Sequence, residues 1–374
     1  MGISRDSIQA PSFSESARWI GLHWRAFEHA NSARAAAFRH DIVLDGMPQR
    51  ALFKIAAQGR YVLWVNGNWA ADGPALAPDD RILVDTVDVA SMLCEGNNTL
   101  AFVVFDAVKD PLLCVDGLIH TAAADLHVLS DSTWHVRRAD WLGPLGVQES
   151  ARPTFSALVE PAKWQVSAPQ HGWQPAQIQH KTHEAGDLVL AERPIGRPYE
   201  EDVAAQLSWL GRGPRAIRER GNALLDWFNT SAVEGDGIYR LKATPGRYEL
   251  TWDNVLTFDL GRACFCRPSL SIHTEAEGGV IALYYHANLN ERPRASASYA
   301  AEGTETCDVI ELGKGDTEWT RLEPRGARYV TIHYGGATAC EVDVRFSHIR
   351  YPFASRASFT SGDALLERIW NTAA

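Results

Sequence analysis

Short runs of alternating apolar and polar residues follow one another from Ala35 onward with little but turn residues between them, and this spacing constrains the fold more than any other feature. Ala51–Ala57 leads through Gly59 into Tyr61–Val65, Asn66-Gly67 follows as a tight-turn signal, and Asp72-Gly73-Pro74 marks the next reversal. Arg81–Val89 alternates with period two, and Gly96-Asn97-Asn98 turns the chain into the mostly apolar Thr99–Phe105. Parallel strands need crossovers of roughly a dozen residues or more, and these gaps are too short and too rich in turn residues to hold them. The pattern predicts antiparallel sheets stacked as a sandwich and fits that architecture better than βαβ units.

Leu126–Leu129 and Asp131–Val136 continue in the same style. From Trp141 to Pro198 the periodicity weakens and Pro, Gly and Gln become frequent, as at Gln170-His171-Gly172-Trp173, which reads as long loops and closing strands. Glu200–Trp209 reads as a helical or irregular connection, and Ala223–Phe228 fits helix and strand equally. Strand logic returns in Val255–Gly261, Pro268–Ala276 and Val280–Tyr285, then in Arg328–Tyr334 and Glu341–Phe346, with Gly335-Gly336 interrupting the last two. Thr360–Asn371 reads as a helix start, capped by Ser361 or Asp363, with Leu366, Ile369 and Trp370 in an apolar stripe. Nothing follows on which that stripe can pack, as expected of a chain cut at a domain boundary. The expected organisation is an N-terminal extension over 1–34, a first β-sandwich over 35–200, a connection over 201–229, a second β-sandwich over 230–352, and a linker with the helix start over 353–374.

At 374 residues the chain exceeds one compact core, and its 45% hydrophobic and 22% charged shares exclude wholesale disorder. Thirty-six basic against 46 acidic residues leave a formal charge of -10, a field that repels nucleic acid and anionic membranes, and no basic cluster offsets it. No apolar run reaches membrane-spanning length, and Met1–Asp6 has no signal-peptide core, so the expectation is no membrane partner and a cytoplasmic location. The cysteines are scattered through apolar, strand-like sequence and read as buried thiols, not as a disulfide framework or metal site. No Gly-x-Ser-x-Gly elbow, phosphate loop or dinucleotide fingerprint occurs, so neither cofactor nor metal is expected.

Several stretches in this order resemble the amino-terminal part of bacterial alpha-L-rhamnosidases and their relatives among the six-hairpin glycosidases. They are Ala57-x-Gly59-x-Tyr61-Val62-Leu63-Trp64-Val65-Asn66-Gly67 with Gly73-Pro74, Asp131-x-x-Trp134, Phe258-Asp259-Leu260-Gly261-Arg262, Glu275-Ala276-x-Gly278-Gly279-Val280-Ile281-x-Leu283-x-Tyr285, and Gly326-x-Arg328-Tyr329-Val330. Phe359–Asp363 through Leu366-x-x-Ile369-Trp370-Asn371 resembles the start of that family's (α/α)6 catalytic barrel. The resemblance implies an all-β fold of two jelly-roll or β-sandwich domains, the first galactose-binding-like, ending in a short helix. It places the catalytic acid and base in the barrel, beyond Ala374, so no catalytic residue falls in this chain. The implied role is a non-catalytic accessory region of a glycoside hydrolase that cleaves terminal alpha-L-rhamnosyl bonds, inactive alone. The alternatives are an independent carbohydrate-binding module and the accessory region of a rhamnose-glucuronate lyase. Implied partners are a rhamnose-containing glycan or glycoside, the helical barrel, and a second copy meeting the exposed barrel-contact surface.

The candidate carbohydrate-binding residues are Trp64, Asn66, Trp69 and Trp134. An indole can stack on the apolar face of a pyranose while a neighbouring amide binds its hydroxyls. Against this, a β-turn at Asn66-Gly67 with core tryptophans around it accounts for the same residues. Tyr284, His286, Asn288 and Asn290 form a polar row on one strand face, facing either solvent, a sugar or a neighbouring domain. His273 and Glu275 share a face but lack a third ligand, Cys264-x-Cys266 has neither redox nor metal spacing, and Glu200, Glu201 and Asp226 read as surface charge before an acid-base pair.

Overall fold

The computed structural model describes residues 13–27, 34–78, 81–143, 154–166, 171–179, 189–212, 243–244, 246–251, 254–287, 307–352 and 358–373. Among these residues the chain forms three sheets of seven, six and eleven strands and one short α-helix. The predominantly β architecture agrees with the sequence pattern.

The seven-stranded sheet runs Gln177–Ile178, Ile20–Gly21, Leu112–Thr121, Pro48–Gln58, Arg81–Asp88 and Val189–Glu192, with Asp125–Leu129 paired to Leu112–Thr121. The six-stranded sheet runs Gln174–Pro175, His135–Arg138, Arg34–Leu44, Gly96–Asp106, Arg60–Val65 and Asn68–Gly73. Their facing surfaces share one core. Phe53, Ile55, Leu113 and Val115 come from the first sheet, and Phe38, Leu63, Phe102 and Val136 from the second. Period-two alternation sends every second side chain of the six-stranded sheet the other way. There Ala35, Ala37, Val62, Ala101 and Val103 are also buried, in a second core shared with the eleven-stranded sheet. Both faces of this sheet are therefore covered.

The eleven-stranded sheet is organised by Asn254–Thr274. Its first part pairs with Gln206–Arg212 and Arg325–Gly335, and its last part with Gly315–Thr320 and Cys340–Arg350. The register breaks between Asp259 and Cys264, where Gly261 has φ +79° and donates its N–H to Asp259 Oδ1 at 2.8 Å. Such a bulge bends a strand, and here its two parts pair with different outer neighbours, Gln206–Arg212 before it and Gly315–Thr320 after it. Arg328 pins the corner by donating to both carboxylate oxygens of Asp259 at 3.2 Å.

The sheet also recruits residues from outside the expected 230–352 segment. Phe155–Ser156 pairs in parallel with Ile310–Glu311, and Tyr199–Asp202 pairs with Ser347–Arg350. Gln206–Arg212, expected as part of a connection, is likewise a strand. Ala223–Phe228, Asn288, Asn290 and Asp226 lie outside the described residues.

The helix is Ala364–Ala373, and Asp363 is its cap: Oδ1 accepts from Leu365 N at 2.8 Å. Glu367 reaches back to Ser361 N at 2.8 Å. Trp370 packs on Phe359 with centroids 5.5 Å apart, while Leu365, Leu366 and Ile369 remain exposed. No helix among the described residues is long and apolar enough to cross a membrane.

Candidate functional site

The outer face of the six-stranded sheet carries an aromatic and charged junction. Asn66 and Gly67 both have positive φ, +52° and +79°, the geometry of a two-residue type I′ hairpin turn. The turn sets Trp64 opposite Trp69 on adjacent strands. Their rings meet edge to face, 5.5 Å apart at 76°, and Trp64 meets Trp164 in the same way at 5.7 Å. Trp164, buried, also lies 5.6 Å from Trp141 and 5.9 Å from Trp173. Edge-to-face packing at Trp64 places positive ring edges on negative faces, and the tilted Trp141 and Trp173 rings complete a packed cluster of five indoles.

Arg267 closes the other side. Its guanidinium carbon is 4.5 Å from the centroid of Trp69, its Nη2 donates to Asp72 Oδ2 at 3.0 Å, and its Nη1 donates to Glu200. The side chain is only 2% exposed. Arg60 approaches the same Asp72 carboxylate at 3.9 Å. Asp72 belongs to the six-stranded sheet, whereas Glu200 and Arg267 belong to the eleven-stranded one, so this arginine joins the two.

Of the four residues expected to face a sugar, Trp64 and Trp69 come together here and are each partly exposed. Asn66 shares their hairpin, but its side chain is engaged within the fold. Nδ2 donates to Met92 O at 3.0 Å and to Asn98 Oδ1 at 2.9 Å, and Oδ1 accepts from Thr99 N at 2.9 Å. Trp134 lies inside the first core with 0% exposure. It stacks on His40 at 4.8 Å and 9°, and its indole N–H donates to Leu129 O at 3.0 Å. Its burial leaves no ring face accessible, and the Asn66 amide has its polar atoms occupied by the turn and its neighbours.

The polar row expected at Tyr284 and His286 is also enclosed. Gly279–His286 is an inner strand between Cys307–Leu312 and Arg325–Gly335, and Tyr284, Tyr285 and His286 are all buried. Burial pushes His286 down to about 4, and burial pushes His333 down to about 3. His273 stays exposed, with Asp316 2.6 Å from Nδ1 and Glu275 3.3 Å from Nε2. The two acids occupy opposite ring nitrogens and hold the imidazolium, raising its pKa chiefly through the Asp316 hydrogen bond. No group of three or more metal-ligating side chains among the described residues is arranged to hold an ion.

Glu200 is committed to Arg267 and Glu201 to Arg350, at 3.0 Å. Asp72 and Glu200 approach each other only through a guanidinium that fills the space between them, so they do not flank an open position where a glycosidic oxygen would sit. Cys114, Cys266 and Cys340 are buried thiols, each pushed up to about 12 mainly by burial, while Cys94 is exposed.

No family model matches the sequence, and no curated protein sequence matches it. Solved structures do match the fold. The GH78 family rhamnosidase of Bacillus sp. GL1 superposes with a TM-score of 0.69 at 14% identity, covering 95% of this chain and 57% of that one. The alpha-L-rhamnosidase of Aspergillus terreus gives 0.62 at 18% identity over 95% and 38%. That of Dictyoglumus thermophilum gives 0.59 at 18% over 94% and 38%. The fold is shared with part of each rhamnosidase. This chain spans about two fifths to three fifths of the length of these three proteins.

Arg267, Trp164, Trp141 and Trp173 were not singled out in the sequence. Arg267 stands in Cys266-Arg267-Pro268, and no local pattern distinguishes it from a surface arginine. Its partners Asp72 and Glu200 are remote along the chain.

Proposed function

We propose that this chain is a non-catalytic β-sandwich region of an alpha-L-rhamnosidase-like glycoside hydrolase, with two domains of which the first is galactose-binding-like. In this reading it supports a helical catalytic barrel and borders the path of a rhamnose-bearing glycan or glycoside. The carrying observation is the match of nearly the whole chain to a limited part of several rhamnosidase structures. The exposed Leu365, Leu366 and Ile369 are assigned to contact with that barrel. Trp64 and Trp69, each partly exposed, are the remaining candidates for sugar contact, and a separate carbohydrate-binding role rests on them.

Such a region binds or positions without supplying a proton donor and base across a glycosidic bond, so it does not lower the chemical barrier. Turnover of p-nitrophenyl alpha-L-rhamnoside is therefore expected from a protein that adds the barrel and not from these 374 residues alone. Turnover by this chain itself would overturn the non-catalytic assignment. Rhamnose binding abolished by Trp69→Ala, in a variant that keeps its fold by circular dichroism, would favour the binding-module alternative.

A further inference from the structure

Residues 154–166 form a strap that links the eleven-stranded sheet to the outer face of the six-stranded sheet. Its beginning is tied to the larger sheet: Thr154 N donates to Val309 O at 2.8 Å, Ala157 N to Glu311 O at 2.9 Å, and Ser156 Oγ to Glu311 Oε2 at 2.5 Å. Its end is tied to the smaller sheet. Buried Arg39 donates through Nη1 to Trp164 O at 2.6 Å, and the Trp164 ring fills the indole cluster. Val166 lies over the hairpin so closely that a Cβ on Gly67 would come within 2.6 Å of it.

Glu160 sits between the two anchorages. Its N–H donates to Ser156 O at 3.2 Å, on the side of the first anchor, and its Oε1 accepts the Trp164 indole N–H at 3.0 Å, on the side of the second. The charged groups around the strap are engaged elsewhere or turned to solvent. Glu311 takes Ser156 Oγ, Arg39 is held by Asp41 at 2.7 Å and Thr99 at 3.0 Å, Arg137 lies over the Trp141 ring, and Lys163 is exposed. Among the described residues, the groups acting on the Glu160 carboxyl are the Trp164 indole and Gln165, with no cation beside it. Glu160 is half-buried, so an ionised carboxylate there would lose part of its water and gain only neutral donors, whereas the protonated acid keeps the indole bond at little cost.

We propose that residues 154–166 are a pH-sensitive strap whose docking between the two sheets is controlled by Glu160: the neutral carboxyl holds it closed and the carboxylate loosens it. This inference does not depend on the rhamnosidase reading. Burial raises Glu160 to about 7 from 4.5. Because the docked value is the higher one, docking is strongest below the undocked value. It weakens as pH rises between the two and levels off above about 7. With these two values the closed population relative to open falls on the order of tenfold to thirtyfold between about pH 5.5 and about pH 8.

Hydrogen-deuterium exchange of the full chain tests this, read on peptides covering 154–166 and corrected for intrinsic exchange rates. The expected result is a loss of protection in the strap on that order between the two pH values, with Asn254–Thr274 unchanged. Glu160→Gln, which keeps an acceptor for the indole but cannot ionise, is expected to hold constant high protection. Trp164→Phe, which removes the indole donor, is expected to lower protection at the acidic value. Equal wild-type protection at both pH values would overturn the proposal, as would the same loss in Glu160→Gln. If Glu160→Gln does not fold, the wild-type titration alone decides: a midpoint below about 5.5 refutes the strap as a switch near neutral pH.

Discussion

Replacing Arg267 with methionine removes the charged tie between the sheets while keeping much of its apolar volume. Arg267 is 2% exposed and its partner Asp72 is 17% exposed, so Asp72 is left with an ion only partly solvated. Breaking a buried pair by deleting one partner typically costs about 3–5 kcal/mol, and the Arg60 guanidinium remaining at 3.9 Å places this case near the lower limit, about 3 kcal/mol. Glu200 is 40% exposed, and solvent reduces the loss of its contact to about 0.5 kcal/mol or less. The cation over Trp69 adds about 1 kcal/mol in this water-poor setting. The sum is about 4 kcal/mol, a factor of roughly a thousand in the folding equilibrium. Urea unfolding followed by both tryptophan fluorescence and far-ultraviolet circular dichroism measures it. Adding Asp72→Asn should recover about 2 kcal/mol or more, because the stranded charge is gone. A loss under about 1 kcal/mol for Arg267→Met, or no recovery in the double variant, would refute the buried-tie argument.

Trp134→Ala should cost about 3–5 kcal/mol, read as a lower thermal midpoint, because it empties the centre of the first core and removes the His40 stack. A sugar-contacting tryptophan would instead leave the midpoint nearly unchanged. Gly73→Ala should destabilise by about 3 kcal/mol, because the added methyl meets the buried Asp85 carboxylate and lies 2.9 Å from Tyr61 Cε1. That methyl disturbs the Tyr61 and Arg193 bonds to Asp85, at 2.8 and 2.7 Å, and a thermal midpoint within a degree of wild type would argue against such tight packing.

The local signals served where one stretch of chain decides its own geometry. Asn66-Gly67 specified the hairpin by turn chemistry alone, and Asp363 announced the helix by its cap. Alternation in Arg81–Asp88 was visible for the same reason: side-chain direction follows strand period. What alternation cannot reveal is whether the second face is also covered. Ala35, Ala37 and Ala101 are small enough to suit a solvated face or a closely packed one, and only the approach of the eleven-stranded sheet decides. The same limit applied to Tyr284 and His286, whose polar atoms suit an outer row until packing on the sheet face buries them. Trp134 and Trp64 looked alike in sequence, and the sheet order separated a core indole from a junction indole. Arg267, Glu160 and Trp164 depend on contacts between distant parts of the chain, for which a single sequence carries no periodic signal.

The two-sided burial of the six-stranded sheet bears on portability. A lectin-like module that can be moved between proteins needs a water-compatible outer skin, and here that skin is a row of alanines and valines with an arginine-bound tryptophan at its rim. Excising residues 35–200 as a cassette would wet this surface and separate Asp72 from Arg267. It would also deprive Phe155–Ser156 of its pairing partner. A transplantable version would need polar replacements at Ala35, Ala37, Ala101 and Val103, so the unit that packs as one body is the sandwich together with the sheet that roofs it.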